Sequence, residues 1–534
     1  MRPAAWWGLP LVAAITLHVA LCGAAWFYPP YLNSDSATGF LAWDSMEHGG
    51  PWNRIVAPSP ADIARNQENF VAWWSPGQYL VVGPWEGLGL SLGRAIPLGC
   101  LVAALIGMAG YWRLFLGFGF PRPLAAWSIL AIETNWTLVR PYGDYIGGEV
   151  ALLAALPWLI LGLRAALRHP VWSWIAVPVL YWLGAMAKLA FAPVGAGIIA
   201  GLRLPEMWSR RRRPAALAAE LLRCAAWLAL GHLLLWSTFL RHGPNPSTSA
   251  GRGIHPVWWD AALQLAGLPI SSAFSWGNMV DRLFLYPGAP RVASAINLWP
   301  VHVAIAIAGI ALVIALLRRE FAERPDYACL IAGVLAAMEA FYALSVALNL
   351  DTDVNDRMFK PLGLLLVPGI IAWIAGRRPA WAVRWAAAAG AASLLYGVAS
   401  PLNRLHTIAL LDNVGRQGIT QHVISRPALD YLHLLDDRAP PGSVAYLPSP
   451  EIALDVRRLR AIATHAVQKD ASLLARVRYQ GRAPELIVLV DQKMIDQGRA
   501  QAVLDSFVAY DPRSWHAKVI GDWHFLSPSA KTIP

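Results

Sequence analysis

The sequence predicts a polytopic α-helical membrane protein with a small C-terminal extracytoplasmic α/β domain, and three observations predict it. Of the 534 residues, 56% are hydrophobic and only 14% are charged. The apolar residues come in long blocks, more of them than a soluble fold needs. Arginines gather at every second connection between blocks, as short cytoplasmic turns of a multi-span protein do. The net charge of +11 resides in these clusters. It reflects membrane topology, and no nucleic acid partner is implied.

Apolar blocks able to span a bilayer run over 6–28, 95–112, 123–139, 148–165, 171–187, 190–204, 222–240, 300–317, 327–348, 361–376 and 381–400, about eleven in all. The first follows Arg2 with no small-residue cleavage site before the polar stretch, so it reads as an uncleaved span with a cytoplasmic N-terminus. Arg113 with Arg122, Arg164 with Arg168, Arg210 to Arg213, Arg318 with Arg319, and Arg377 with Arg378 then fall in cytoplasmic turns. The segments 29–94 and 241–299, the turns near 140–147 and 349–360, and everything after 402 are placed outside.

The apolar stretch Pro76–Arg94 is broken by Pro76, Gly77, Gly83 and Pro84, and reads as a re-entrant or juxtamembrane piece. The run 171–204 requires a hairpin near Lys188 to preserve the alternation. The four cysteines, Cys22, Cys100, Cys224 and Cys329, each lie alone in an apolar block and read as small hydrophobes. The organisation is thus 1–402 in the membrane and 403–534 as the soluble portion. In the latter, 427–438 and 497–507 look helical, 443–447 and 485–490 look extended, and 516–520 can pair with 523–526 as a hairpin.

Candidate chemistry lies at the outer ends of the blocks. Asp35 stands just past the first span, where a carboxylate is partly desolvated and within reach of a lipid-borne substrate. Asp44, Glu47 and His48 share one face if Trp43–His48 is helical, although a solvated juxtamembrane face is the simpler reading. Arg140-Pro141-Tyr142-Gly143-Asp144 closes one span and opens the next on the same side, bringing a second acid; a plain Arg140–Asp144 pair is the simpler reading. Two such carboxylates can divide deprotonation of a hydroxyl from holding a sugar or a divalent cation, Mg or Mn.

Lys188, Arg357 and Lys360 are cations at outer helix ends, suited to a phosphate or pyrophosphate, with snorkelling as the alternative. Trp73 and Trp74 suit the aromatic belt or a stacked sugar. The 403–534 portion carries neither a Gly-rich phosphate loop nor a nucleophile elbow.

Taken in order, an acid beyond the first span, a long outer loop, the Arg140-Pro141-x-x-Asp144 turn, Gly184-x-x-x-Lys188 and Arg357 before Pro361 resemble the GT-C superfamily of membrane glycosyltransferases. The resemblance is to the branch of aminoarabinose transferases and protein O-mannosyltransferases, over about residues 1–400. It implies transfer of a sugar from a polyprenyl-phosphate donor to a glycan, lipid or protein acceptor at the extracytoplasmic face of a bacterial-type inner (plasma) membrane. It also implies Asp35 and Asp144 as the catalytic acids of the first two outer loops, and Lys188 and Arg357 at the lipid phosphate. Asp44, Glu47, His48, Trp73, Trp74, Arg140, Tyr142 and Lys360 complete the expected binding residues, with no certain cofactor. One departure is Ser75-Pro76-Gly77, where that branch commonly begins its juxtamembrane helix Lys-Pro-Pro. A secondary transporter is the alternative class, but transporters tend to carry paired repeats and midplane charges, whereas here the charges gather at one surface.

Overall fold

The computed structural model describes residues 8–72, 74–242, 258–276, 299–348, 355–376, 380–463 and 477–533. A helical body is followed by a five-stranded sheet, and the segment after the first helix packs between them. Helix α1 (Gly8–Phe27) leads through strand β1 (Tyr31–Leu32) into α2 (Ser34–Glu47) and the hairpin β2 (Arg54–Ser59) and β3 (Asp62–Phe70). The Pro/Gly-broken stretch forms two short helices, α3 (Gly77–Leu80) and α4 (Gly83–Glu86), in place of a span.

The helical body then comprises α5 (Leu92–Gly117), α6 (Arg122–Glu133), α7 (Trp136–Val139), strand β4 (Asp144–Tyr145), α8 (Glu149–Ala166), α9 (Ser173–Ala187), α10 (Phe191–Ser209) and α11 (Pro214–Thr238). It continues with α12 (Trp258–Phe274), α13 (Trp299–Glu323), α14 (Pro325–Ala347), α15 (Asp356–Ala375) and α16 (Ala380–Leu411).

Six described helices, α1, α5, α8, α11, α14 and α15, are long and apolar enough to cross a membrane. The chain is a multi-pass membrane protein. Other expected spans take different forms. The block 123–139 is broken at Thr134-Asn135, because the Asn135 side chain turns back to accept from the Thr137 amide at 3.2 Å and donates to the Ala273 carbonyl at 3.1 Å. An Asn that satisfies backbone groups in this way competes with continued helix. The expected hairpin at Lys188 is present: Lys188 is extended (φ −160°, ψ 129°) between α9 and α10. Part of the segment expected as an outer loop, 241–299, forms α12, which packs on α13 and α15. Helix α16 runs on to Leu411, beyond the expected boundary at 402.

Helices α10 and α14 approach through small residues. A Cβ on Gly197 would lie 2.5 Å from the Val334 Cα, one on Gly333 2.5 Å from the Gly197 carbonyl, and one on Gly201 2.6 Å from the Cys329 carbonyl. In a bilayer, where apolar surface gains nothing by leaving lipid for protein, such close packing is a main source of helix association.

After α16 come α17 (Arg426–Arg438), β5 (Val444–Leu447), α18 (Pro450–Ala453), β6 (Arg460–Ala463), β7 (Leu486–Asp491), α19 (Gln492–Asp496), α20 (Arg499–Ser506), β8 (His516–Ile520) and β9 (Trp523–Ser527). The sheet order is β6-β5-β7-β9-β8, parallel among β5, β6 and β7 and antiparallel at β9 and β8. Strands β5 and β7 are buried on both faces, which is why they read as unbroken apolar runs. Asp436 fixes the near edge by accepting from the Arg457, Arg458 and Leu459 amides, each at 2.9 Å.

Two contacts bind this sheet to the β2–β3 hairpin. Ile63 of β3 lies in its apolar core, and the Arg460 guanidinium reaches Asn66 at 2.8 Å and the Arg65 carbonyl at 2.8 Å. Replacing Gly333 by Val should force α10 and α14 apart and cost about 1–3 kcal/mol. The check is a lower thermal-unfolding midpoint in detergent, with a Gly390→Ala control in α16 no less stable than the unmodified protein, because a Cβ there meets nothing within 4 Å and Ala favours helix over Gly.

Candidate active site

The two acid-bearing loops are joined by a two-stranded parallel pair in which Tyr31 lies opposite Asp144 and Leu32 opposite Tyr145. The Tyr31 amide donates to the Gly143 carbonyl at 3.3 Å and the Asn33 amide to the Tyr145 carbonyl at 3.2 Å. Asn33 caps α2 by accepting from the Asp35 amide at 3.0 Å, which sets Asp35 in the first helical turn where the helix dipole favours an anion. The Ser36 hydroxyl donates to the Tyr145 carbonyl at 3.1 Å, so α2 is fastened directly to the second loop.

Three backbone segments converge next to this pair. A Cβ on Gly77 would overlap the Ala187 carbonyl, and one on Gly148 would come within 2.9 Å of the same oxygen. The Ser75 hydroxyl accepts from the Leu189 amide at 2.7 Å. Thus Ser75-Pro76-Gly77, the departure from the expected motif, forms the seat that holds the Lys188 turn. Trp74, half-buried, immediately precedes it.

Glu149, at the start of α8, is the centre of the arrangement. Its Oε1 accepts from both the Lys188 ammonium and the Arg357 Nε, although these residues come from helix ends far apart in sequence. The carboxylate is nearly sealed, at 3% exposed, while Lys188 and Arg357 retain 17% and 32%. Arg357 also donates from Nη2 to the Ile146 carbonyl at 3.2 Å, and its position in the first turn of α15 is set by Asn355, which accepts from its amide at 3.0 Å. Asp35 is near enough for its charge to act on both cations, and Asp144 acts on Arg357 as well. Asp35, Asp144, Lys188 and Arg357 therefore share one site.

Arg140 donates to the Asp144 Oδ2 from Nε at 2.7 Å and also from Nη2, and lies 4.5 Å over the Trp136 ring. The simple pairing is what forms, and it leaves Asp144 only 2% exposed. Tyr31, Arg404 and His422 surround the same acid: the Tyr31 and His422 rings are 4.2 Å apart, and Arg404 sits 5.2 Å over Tyr31. Burial, with the Asp144 charge adding to it, pushes the Tyr31 hydroxyl up to about 12, so it stays a neutral donor.

Other expected residues lie elsewhere. Asp44 and Glu47 are nine or more residues along α2 from Asp35, about 13 Å at a helical rise of 1.5 Å, and gather instead with Glu86. Burial and these two like charges push the Glu86 carboxyl up to about 8. His48 is exposed and bonds back to the Asp44 carbonyl at 2.8 Å. Tyr142 is fully buried and directed inward, its hydroxyl 3.0 Å from His18 Nδ1, while His18 Nε2 lies 3.1 Å from Glu133. Lys360 is also buried, donating to the Ser272 carbonyl at 2.7 Å and the Ser275 hydroxyl at 2.9 Å, where it ties α15 to the end of α12. Trp73 lies outside the described residues.

Reading the sequence missed Glu149, Tyr31, Arg404 and His422. Glu149 carried a usable signal: a lone acid opening an apolar block after Gly147-Gly148 is expensive unless partnered. Among the described residues, no three His, Cys, Asp or Glu side chains gather as a metal would need.

Glu149→Ala should destabilise the protein by up to about 3 kcal/mol, because two enclosed cations lose their common counter-ion. The check is a fall in unfolding temperature that Glu149→Asp partly restores.

No family model matches this chain, and no curated protein matches it. Among solved structures it is similar to ArnT from Cupriavidus metallidurans in the apo state, with 12% identity, a TM-score of 0.51 and 98% of each chain covered. ArnT from the same organism bound to undecaprenyl phosphate aligns over 100% of both chains, at 13% identity and a TM-score of 0.42. Identity this low speaks to architecture alone: the chain has the fold of ArnT, as the order of its sequence features had suggested.

Proposed function

We propose that this protein is a glycosyltransferase that moves a sugar from a polyprenyl-phosphate donor to an acceptor hydroxyl at the outer face of the membrane. The observation that carries the reading is the meeting of two outer-loop acids with Lys188 and Arg357 around Glu149. Paired cations at a membrane-facing helix end suit a lipid phosphate, and a half-exposed carboxylate beside them suits a general base.

In the proposed reaction Asp35 takes the proton of the acceptor hydroxyl, whose oxygen forms a bond to the anomeric carbon. The bond from that carbon to the phosphate oxygen breaks, and the electron pair leaves with the polyprenyl phosphate. Lys188 and Arg357 stabilise the charge that develops there. Glu149 does not prevent this, since an ammonium has three N–H donors and a guanidinium five, and each spends only part of them on it. Asp144, gripped by Arg140, orients the sugar or acceptor. The donor set at hand suits a Mg or Mn ion poorly, because Arg140 already occupies an Asp144 oxygen, Lys188 and Arg357 occupy Glu149, and among the described residues no three His, Cys, Asp or Glu side chains are placed to hold a metal ion; no step is routed through a metal.

The arginine-rich turns favour a cytoplasmic N-terminus, with the site and the C-terminal α/β portion on the extracytoplasmic side of a bacterial-type plasma membrane. A donor held in the bilayer suits that side, where nucleotide sugars are absent.

Purified protein incubated with a panel of polyprenyl-phosphate sugars should release free polyprenyl phosphate from at least one of them; no release from any would overturn the reading. Asp35→Ala should lower that turnover at least about 100-fold while expression and unfolding temperature hold. Arg357→Lys should retain charge yet lose a factor of about ten, since the forked geometry is gone.

A further inference from the structure

The C-terminal portion is stitched to the membrane body beside the site. The Thr420 hydroxyl donates to the Pro29 carbonyl at 2.6 Å, its amide to the Pro30 carbonyl at 3.1 Å, and the Gly93 amide to the Gln417 carbonyl at 3.1 Å. Asp455, buried, accepts from the Gln417 amide at 3.2 Å and the Gln421 side chain at 2.5 Å, and Gln421 also donates to the Glu451 carbonyl at 2.9 Å. These bonds seat α18 (Pro450–Ala453) against α2, and Phe40, Leu41, Ile452, Ala453 and Leu454 share one apolar core.

This docking delivers an acid to Asp35. Glu451 is 4% exposed, and among the described residues its Oε2 meets no hydrogen-bond partner, while the other side of the carboxylate turns back to its own amide. Its helix packs on α2, and the charge of Asp35 in the first turn of α2 acts on it. An enclosed carboxylate oxygen with no donor is costly, and a ligand that supplies one recovers the cost.

We infer that Glu451 is a substrate-binding residue contributed by the C-terminal portion, taking a hydrogen bond from a hydroxyl of the sugar or of the acceptor while Asp35 faces the reacting centre. The inference rests on the transfer reading above. It gives the C-terminal portion a place in the site that the membrane helices alone do not fill. Burial, with the Asp35 charge adding, pushes the Glu451 carboxyl up to about 7, so near neutrality it can accept a hydrogen bond or donate one.

The test uses the full chain in detergent with a polyprenyl-phosphate sugar that the unmodified protein turns over, varying donor and acceptor in turn for Glu451→Gln and Glu451→Ala. Glu451→Ala should raise one KM about 10- to 100-fold, the contribution of a hydrogen bond to a charged group. Glu451→Gln, which keeps the shape, should raise it less, and kcat should stay within about threefold in both. A higher donor KM with unchanged binding of sugar-free polyprenyl phosphate assigns the sugar hydroxyl. A higher acceptor KM with unchanged hydrolysis of the donor by water assigns the acceptor. Unaltered KM values for both substrates in a folded Glu451→Gln protein overturn this inference alone. If the unmodified protein turns over no sugar lipid, the transfer reading falls and this inference with it.

Discussion

Glu149 is the group on which the arrangement depends. Lys188 ends one helix and Arg357 begins another, and neither cation would settle beside the other without a shared anion in so enclosed a place. The carboxylate overcomes that repulsion and, with the Ile146 carbonyl, aims the guanidinium at the acid-bearing loops. Because its two partners arrive on separate helices, the same contact orders the neighbouring ends of α8, α9 and α15.

That contact needs close backbone approach, which glycine permits. Gly77 and Gly148 face the same carbonyl of Ala187, and a methyl group at Gly77 would overlap it. Ser75 then bonds the amide just past Lys188. One of the two cations of this site, Lys188, is thus supplied from the α9–α10 turn, over a seat made by Ser75-Pro76-Gly77, and the polar side chain of that seat supports the turn instead of presenting a charge of its own.

Outside the helices, the first loop behaves as part of the C-terminal structure. Ile63 is buried in the sheet's core, Arg460 reaches the β2–β3 hairpin, and Thr420 bonds the chain where it leaves α1. Helix α2 is held on two sides, by Ser36 against the second loop and by α18 across its apolar face. The placement of Asp35 is therefore decided jointly by three regions distant in sequence.

Much of the architecture was legible in the sequence because it follows from local rules. Block length and hydropathy mark α1, α5, α8, α11, α14 and α15, the Pro/Gly run marks α3 and α4, and period-two runs mark the hairpin β8–β9. Asn135 shows the limit of such rules: its side chain breaks an apolar block by bonding α12, a partner that hydropathy cannot name.

The site divides along the same line. Composition and order alone determined that acids and cations collect at one end of the helices and that the chain crosses a membrane, since transfer from water to lipid is a property of each segment by itself. Tertiary structure decided which of them meet. It set Lys188 and Arg357 on Glu149, turned Tyr142 toward His18 and Lys360 toward Ser272, left Asp44 and Glu47 farther along α2, and brought Glu451 within range of the Asp35 charge. Charges and hydrogen bonds act over a few ångströms, and only the packed chain fixes those distances.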